Sequence, residues 1–399
     1  MRDVDDNFIR ARIAAELETL RDRSELRSLE IPSGINLCSN DYLGLATDPR
    51  LKQAVVEAVA STAQVGATGS RLLSGNSLEW QELEIEFADF AGTESALYFG
   101  SGYASNVGLL SSIVQPGDIV FSDALNHASL IDGIRLSGAQ KAIYPHCDLR
   151  FLEQALRENS SSLGGKIIVT ESIFSMEGDV APIEHLVRLA KHYGAELIVD
   201  EAHALGVRGP QGRGIVAEMK CAREVLATVY PCGKALASAG AFVCCSAALK
   251  EFLVNRARTF LFSTAMPPYI AGQIHAALAI ARAEDSRRTY LRDISTLLRN
   301  SLCAAGLNFG SSSTQIVPVI FGANAAALHV AARLQAAGFA VRAIRPPTVP
   351  PGTARIRFSL TSRITVEDIR RVVAVMTDAV RSLPSLSDSS DQSANLAHA

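Results

Sequence analysis

Two polar residues next to apolar segments are the first candidates for chemistry in this sequence. Asp200 follows the apolar run Ile198-Val199 and precedes His203 by three residues. Lys234 is the only charged residue in the range 226–249. An amine in apolar surroundings is partly desolvated, which lowers its pKa and suits it to Schiff-base chemistry. Taken alone, either residue could instead be a solvated charge at the surface.

A glycine turn and a histidine complete the set of candidates. The turn Gly100-Ser101-Gly102-Tyr103 stands between a predicted strand and a predicted helix, where glycines let backbone N–H groups approach a phosphate. It is not a dinucleotide fingerprint, because position 105 is serine rather than glycine. His127 follows another predicted strand, and a flat imidazole there either begins a helix or stacks on a planar ring.

The spelling Asp200-Glu201-Ala202-His203 also occurs in helicases, which is a competing interpretation. A helicase needs the phosphate loop G-x-x-x-x-G-K-[ST]. Gly233-Lys234 is followed by Ala235, and Thr228 stands five residues before Gly233. The sequence therefore excludes this nucleotide-binding loop at the lysine.

The elements that position these residues alternate between strands and helices, which predicts an α/β fold with a mostly parallel sheet. Ligands of such sheets bind beyond the carboxyl ends of the strands, and all four candidate groups follow predicted strands. The predicted strands are Ser95–Phe99, Asp118–Phe121, Lys141–Tyr144, Lys166–Thr170, Glu196–Val199, Leu226–Tyr230 and Ala241–Cys245.

The chain divides into four predicted parts. Residues 1–50 form an amino-terminal segment, 51–285 a large domain, 286–384 a small α+β domain, and the Ser-rich residues 385–399 a disordered tail. A long helical stretch from about residue 268 to 303 is predicted to link the two domains. In the small domain, single strands are predicted at 315–321, 340–344 and 354–360.

Composition narrows the class of protein. The 399 residues carry 38 basic and 41 acidic side chains, which gives a net charge of −3. This balance excludes nucleic-acid binding that depends on an overall positive charge. With 48% hydrophobic and 20% charged residues, the chain is not an extended disordered protein. The seven cysteines contain no CxxC pair, so we expect no metal site and a reducing compartment. Without a targeting or membrane segment, we expect a cytoplasmic protein that does not bind membranes.

The four groups together indicate one cofactor. Pyridoxal 5′-phosphate requires an amine that binds its aldehyde and an acid that pairs with its ring nitrogen. It also requires a phosphate-binding site and a side chain that stacks on its ring. Lys234, Asp200, the turn at Gly102 and His127 would supply these functions.

The motifs resemble those of the α-oxoamine synthases, pyridoxal-phosphate enzymes of the type I aminotransferase fold. The resemblance covers about residues 20–380 and implies a large domain with a mostly parallel seven-stranded sheet and a smaller α+β carboxyl-terminal domain. Its motifs include Asn40–Gly44, Gly69–Arg71, Ser101–Asn106, Asn126–Ser129, Glu171–Asp179, Asp200–His203, Gly212–Gly214, Gly233–Ala235 and Phe262–Thr264.

This resemblance implies a role for individual residues. Lys234 would bind the cofactor aldehyde and later move a proton, Asp200 would pair with the ring nitrogen, and His127 would stack on the ring. His203 and Ser175 would lie near the phenolic oxygen, and the backbone at Gly102 and Tyr103 would contact the cofactor. Lys234, His127, Asp200 and His203 are thus the expected catalytic residues.

The resemblance also implies substrates and a partner. Arg27, His127, Thr348 and Arg357 would contact substrate, with Arg357 on a carboxylate because arginine binds carboxylates bidentately. Thr264 would reach the phosphate in a neighbouring subunit, so a homodimer is expected.

The loop from Ile344 to Arg357 is most similar to the branch of this family that condenses L-alanine with a pimeloyl thioester, giving 8-amino-7-oxononanoate in biotin synthesis. A sister synthase that uses glycine or serine with another acyl-CoA is the alternative. A third alternative is a non-catalytic subunit of a heterodimer, which the presence of Lys234 disfavours. The chain also departs from the family at Pro231, where a threonine hydroxyl often meets the phosphate.

Overall fold

The computed structural model describes residues 8–383. The predicted disordered tail at 385–399 lies outside the described residues. In chain order the strands are β1 Ile35–Asn36, β2 Ser95–Phe99, β3 Ile119–Asp123, β4 Gln140–Tyr144, β5 Lys166–Glu171, β6 Glu196–Asp200, β7 Ala227–Pro231, β8 Ala241–Cys245, β9 Ile316–Gly322, β10 Phe339–Ala340, β11 Ala343–Ile344 and β12 Ala354–Ser359.

The α-helices flank these strands along most of the chain. In the first half they are α1 Phe8–Asp22, α2 Pro49–Ser61, α3 Leu78–Ala91, α4 Gly102–Ile113, α5 Ala128–Ser137, α6 Leu149–Glu158 and α7 Ile183–Tyr193. In the second half they are α8 Ile215–Glu218, α9 Ala247–Arg256, α10 Arg258–Leu261, α11 Pro268–Ala283, α12 Asp285–Ala304, α13 Asn324–Ala336 and α14 Val366–Arg381.

The large domain contains a seven-stranded sheet in the order β2-β8-β7-β6-β5-β3-β4. Only β8 runs antiparallel to its neighbours β2 and β7, and the other pairs in the sheet are parallel. Each strand lies within two residues of its predicted bounds, so the predicted mostly parallel α/β sheet is confirmed.

Sequence pattern explains why these elements form. Strand β5 carries the run Ile167-Ile168-Val169, buried as expected for a strand covered on both faces. Helix α7 buries Ile183, Leu186, Val187 and Ala190, a spacing that places them on one helical face. It ends at Gly194, which adopts the left-handed conformation (φ 60°) that glycine tolerates best. Two separate apolar clusters result, one on each face of the sheet.

The smaller domain contains the antiparallel sheet β11-β12-β9, and α13 and α14 pack against each other beside it. Helix α14 begins with a reciprocal capping box between Thr365 and Asp368. The predicted single strand at 340–344 is wrong. It forms two short strands, because β10 pairs with β1 of the amino-terminal segment while β11 pairs with β12.

The helical stretch predicted at 268–303 is present, but it is divided into two helices. It breaks at Glu284, whose backbone (φ −94°, ψ 49°) is not helical, and becomes α11 and α12. The guanidinium of Arg288 donates to the carbonyls of Ala281 and Arg282 at the end of α11. Since these carbonyls have lost their helical partners, the arginine stabilises the break.

Within residues 8–383, no helix combines the length and apolar character needed to cross a membrane.

Candidate active site

The carboxyl ends of the parallel strands bring most of the sequence-predicted residues to one cavity of about 460 Å³. Asp200 and Glu171 are the last residues of β6 and β5, and Lys234 follows the end of β7 by three residues. Gly102 begins α4 just after β2, and His127 caps α5 just after β3. Asp200, Lys234, Gly102, Tyr103, His127, His203, Ser175 and Arg357 all line the cavity.

Asp200 is held in one orientation by two donors. The backbone N–H of Ala202 donates to its Oδ1 at 2.8 Å, and Nδ2 of Asn106 donates to its Oδ2 at 2.7 Å. The carboxylate is 4% exposed. A carboxylate has about four lone-pair sites, so each oxygen can still accept a bond from a cationic ring nitrogen.

Lys234 is largely buried at the cavity wall, and burial lowers the pKa of its amine below 10.5. The negative charges of Asp200 and Glu171 oppose this shift. The apolar flanks of the lysine predicted this direction. A lowered pKa increases the fraction of unprotonated amine, the form that attacks an aldehyde.

His127 is connected to Asp200 through two intermediate side chains. Asn106 donates from Nδ2 to both Asp200 and the hydroxyl of Ser129, and that hydroxyl lies 2.8 Å from Nδ1 of His127. Burial lowers the pKa of His127, and the charge of Lys234 lowers it further while Asp200 raises it. The chain of bonds fixes the imidazole at the cavity wall.

Ser175 and Arg357 meet across the boundary between the two sheets. Arg357 lies on β12 of the small domain, and its Nε donates to the carbonyl of Ser175. Its Nη1 donates to Oδ1 of Asn40 at 3.1 Å. Arg357 is 8% exposed, and its two hydrogen bonds named here go to a carbonyl and an amide oxygen rather than to a carboxylate. Its remaining N–H donors are therefore free to bind an anion in the cavity.

The segment Glu171–Asp179 that carries Ser175 is held against the small domain. The hydroxyl of Thr314 donates to the carbonyl of Gly178 at 2.7 Å. A Cβ at Gly178 would lie 1.9 Å from the carbonyl oxygen of Ile316, and its φ of 71° also favours glycine. Glycine at this position thus permits the close approach that places Ser175 near Arg357.

Three predicted site residues lie away from this cavity. The guanidinium of Arg27 donates to the hydroxyl of Thr348 at 3.0 Å, and both side chains are exposed. Thr264 lies in an exposed turn that the backbone bond from Ala265 N–H to the carbonyl of Gly69 holds in place. None of the three lines the cavity of Lys234 in the same chain.

A family model described as aminotransferase class I and II matches residues 32–376. The chain belongs to the class I and II aminotransferase family.

Within this family, the chain is similar to an 8-amino-7-oxononanoate synthase from Geobacter sulfurreducens. The two are 43% identical over 379 residues, which cover 91% of this chain and 96% of the relative. A solved structure of 8-amino-7-oxononanoate synthase from Francisella tularensis aligns with a TM-score of 0.76 and 30% identity, covering 88% of this chain and 98% of that one.

Serine palmitoyltransferase from S. paucimobilis, solved with an adduct of pyridoxal phosphate and myriocin, has a TM-score of 0.86. It is 28% identical and the alignment covers 95% of this chain and 99% of that chain. The family and this structure indicate pyridoxal 5′-phosphate as the cofactor, and the synthase relatives indicate an enzyme of the acyltransferase type.

The cavity of this family member fits that cofactor chemically. It presents an amine, a fixed carboxylate and the amino-terminal end of the 12-residue helix α4. Buried Oδ1 of Asn106 and Oε1 of Glu171 have no hydrogen-bond partner within residues 8–383. Gly102 lacks a Cβ where one would lie 3.0 Å from the ring of Pro231, so the helix start stays open. A ligand with several polar substituents suits such a lining.

Sequence reasoning missed three residues of the site. Glu171 ends β5 as Asp200 ends β6, and the same strand-end rule could have found it. Burial, and then the charge of Asp200, raise the pKa of the Glu171 carboxyl well above its usual range. Asn106 and Tyr42 stood in recognised motifs, but their contacts with Asp200 and His203 span 94 and 161 positions, which no local pattern reveals.

Proposed function

We propose that this protein catalyses the decarboxylating condensation of L-alanine with a pimeloyl thioester, giving 8-amino-7-oxononanoate for biotin synthesis. Similarity to a synthase of that name, at 43% identity over nine-tenths of the chain, is the observation that carries the proposal. In the balanced reaction, the Cα of alanine bonds to the acyl carbon and the thiol leaves. The carboxyl group of alanine leaves as carbon dioxide and a proton takes its place at Cα, while the proton first removed from Cα goes to the departing thiolate.

When bound, pyridoxal phosphate would supply an aldehyde that joins the substrate amine and a ring that accepts the negative charge formed at Cα. Lys234 would hold the cofactor in the resting enzyme and then remove the Cα proton. Asp200, oriented by Asn106 and the Ala202 N–H, would keep the ring nitrogen protonated. A hydrogen bond to a charged group contributes about 1.5–3 kcal/mol, so this contact also supports cofactor binding.

The other cavity residues would position the ring and the substrate. His127, fixed by Ser129, would cover one face of the ring, and His203 and Ser175 would lie near the phenolic oxygen. The helix start at Gly102 and Tyr103 would receive the phosphate, since backbone N–H groups at a helix amino terminus favour anions. Arg357 would bind the carboxylate of alanine with its free donors.

The proposal includes a homodimer with shared active sites. Thr264 is exposed and lies outside the cavity of its own chain, which fits a residue that serves the phosphate of a second copy. Large apolar side chains are exposed beside Thr264 and on the loop that Ala265 joins at Gly69, with Phe262 at 73% and Leu73 at 85%. Arg27 and Thr348, joined on the surface, would contact the substrate at the entrance.

A sister synthase is the second candidate, because serine palmitoyltransferase has the higher TM-score, 0.86 against 0.76. Backbone similarity reports a shared fold, however, while the two activities differ in their substrates. The 43% identity to the oxononanoate synthase therefore favours the first proposal.

One experiment separates the two. The purified holoenzyme is titrated with L-alanine, glycine and L-serine while the visible spectrum of the cofactor is followed. Each amino acid is then assayed with pimeloyl-CoA, pimeloyl-acyl carrier protein and palmitoyl-CoA by release of free thiol and by product mass. We expect turnover with L-alanine and a pimeloyl thioester, and none after Lys234→Ala.

Turnover confined to serine with palmitoyl-CoA would replace this proposal with the second candidate. Full activity of the Lys234→Ala variant would contradict both candidates. The two pimeloyl donors, compared at equal concentration, also identify the acyl carrier.

A further inference from the structure

A tyrosine from the amino-terminal segment contacts a histidine of the cavity without lining the cavity itself. The hydroxyl of Tyr42 lies 2.5 Å from Nδ1 of His203, and the two rings are tilted by 58° with centroids 6.0 Å apart. Tyr42 is 0% and His203 4% exposed. His203 lines the cavity but Tyr42 does not, so any effect of the tyrosine on chemistry must pass through the histidine.

Both groups are neutral in this environment. Burial raises the pKa of Tyr42 above 10, although the charge of Arg357 opposes the shift. Burial lowers the pKa of His203 well below 6.5, and the charges of Lys234, Arg357 and His127 lower it further. At neutral pH the tyrosine keeps its proton, and the imidazole carries one proton on one of its two nitrogens.

The acceptors around Tyr42 decide where its proton points. Oδ1 of Asn40 already accepts from Nη1 of Arg357 at 3.1 Å and from the hydroxyl of Ser359 at 2.9 Å. An amide oxygen has two lone pairs, and these two donors use both. The hydroxyl of Tyr42 lies 3.2 Å from that oxygen, which is farther than its 2.5 Å to Nδ1 of His203. The shorter contact and the two other donors on Asn40 favour donation from the tyrosine to Nδ1, which would leave the single imidazole proton on Nε2.

We propose that Tyr42 fixes His203 as the Nε2–H tautomer, so that the histidine presents a permanent donor to the cavity. The side chain of Gln315 holds the same residue at its backbone, donating to the carbonyl of His203 at 2.8 Å. Tyr42 is thus a positioning residue. The tautomer follows from the contacts of the chain alone. What the donor meets, the phenolic oxygen of the cofactor, rests on the proposed function.

Nitrogen NMR of the histidines tests the tautomer directly. The full chain is labelled with ¹⁵N-histidine and measured near neutral pH with and without cofactor, and His203→Asn assigns the signal. We expect a protonated Nε2 and an unprotonated, hydrogen-bonded Nδ1 in the wild type. In Tyr42→Phe we expect this pattern to be lost, with Nδ1–H populated.

Tyr230→Phe is the matched control, because Tyr230 is 1% exposed and its hydroxyl bonds a carbonyl, that of Arg213, away from the cavity. It should leave the His203 signal unchanged. A protonated Nδ1 in the wild type would overturn the inference even if Tyr42→Phe did not fold. An unchanged Nε2–H signal in Tyr42→Phe would overturn it as well.

The holoenzyme gives a second measurement. The Nε2–H donor of His203 would stabilise negative charge on the phenolic oxygen of the cofactor. Loss of this donor would therefore raise the pKa of the bound cofactor. In Tyr42→Phe the pH midpoint of the visible absorption should rise by about 0.5–1 unit, as expected for one neutral hydrogen bond. The tautomer and the absorption midpoint test different claims. If the wild type shows Nε2–H, Tyr42→Phe loses it and the midpoint stays unchanged, the inference holds and the role of His203 given under the proposed function is contradicted.

Discussion

At the scale of single residues, the site depends on side chains whose polar groups are only partly satisfied by the protein. Arg357 uses Nε and Nη1 on Ser175 and Asn40 and keeps other N–H donors unused. Asp200 accepts one bond on each oxygen and can accept more. Both residues line the same cavity. Their unused hydrogen-bond donors and acceptors explain why this group of residues can bind a polar cofactor and a charged substrate.

The first prediction concerns Arg357→Lys. The lysine keeps the charge but loses the planar pair of donors, so we expect affinity for L-alanine to fall about 10- to 100-fold, the equivalent of one charged hydrogen bond. Titration of the cofactor spectrum with L-alanine measures this. Arg288→Lys is the matched control, because Arg288 is equally buried at 8% and does not line the cavity. Unchanged alanine affinity in Arg357→Lys would remove this residue from substrate binding.

The second prediction concerns Pro231, which ends β7 at the cavity and has neither a hydroxyl nor an N–H. Pro231→Thr would add a donor, and we expect affinity for pyridoxal phosphate to rise about 10-fold or more, as for a hydrogen bond to an anion. Pro231→Ala separates the two effects, because it restores the N–H alone and should leave affinity near that of the wild type. Equilibrium dialysis against the cofactor measures both. Equal affinities of the threonine and alanine variants would exclude the hydroxyl effect.

At the scale of elements, an ion triad connects the Ser175 segment to the sheet. Nδ1 of His146 lies 3.0 Å from Asp123 at the end of β3, and its Nε2 lies 3.0 Å from Asp179. Asp179 also accepts a bond from Ser311 at 2.7 Å. Burial alone would lower the pKa of His146, but its bonds to the two aspartates raise it to about 12. The imidazolium thus joins the end of β3 to the segment that carries Ser175.

The third prediction is a pH-dependent loss of stability in His146→Gln. We expect the free energy of unfolding to fall by about 1.5–3 kcal/mol near pH 6, the contribution of a charged hydrogen bond. The folded pKa of the histidine is raised, so its contribution is complete below the unfolded value of about 6.5 and declines as pH rises toward 12. The pKa of Asp179 is lowered in the fold, so the contribution also declines in acid.

Urea unfolding at about pH 6 and about pH 9 would measure this difference, which should be larger at the lower pH. His275→Gln is the control, since His275 is 64% exposed and pairs with Glu86 at the surface. Such pairs contribute about 0–1 kcal/mol, so little change is expected. A loss in His146→Gln that is equal at both pH values would contradict the charged triad.

The sequence predicted elements where local pattern determines them. The run Ile167-Ile168-Val169 was sufficient to locate β5, and the strand-end rule located Asp200 and Lys234. It did not predict the break at Glu284, because the stabilising contact comes from Arg288 in the next helix. It also did not separate β10 from β11, because their partners β1 and β12 are distant in sequence.

At the scale of the whole molecule, the described chain exposes apolar side chains next to the turn that carries Thr264. The bond from Ala265 N–H to the carbonyl of Gly69 joins that turn to the loop containing Leu73. Leu73 and Phe262 on these two loops are 85% and 73% exposed. Burying a leucine side chain contributes about 1.5–3 kcal/mol, so covering these loops with a second copy would stabilise both chains.

The fourth prediction is that the protein is a dimer and that Leu73→Glu dissociates it. A charge placed in an apolar contact must be desolvated, so we expect monomers by light scattering together with weaker binding of pyridoxal phosphate. Leu163→Glu is the control, because Leu163 is fully exposed in a different loop. It should remain dimeric. A monomeric wild type with full activity, or a dimeric Leu73→Glu, would show that these loops do not form the interface.

The pairing of β1 with β10 has a consequence for how the chain acquires its fold during synthesis. Ile35 pairs with Phe339, so β1 can pair with β10 only after about 300 further residues have been synthesised. Closing so large a loop carries an entropic penalty and slows folding relative to local contacts. Strand β1 is therefore among the last of the described elements to reach its native position, and a ribosome-bound chain that stops before β10 lacks this pairing.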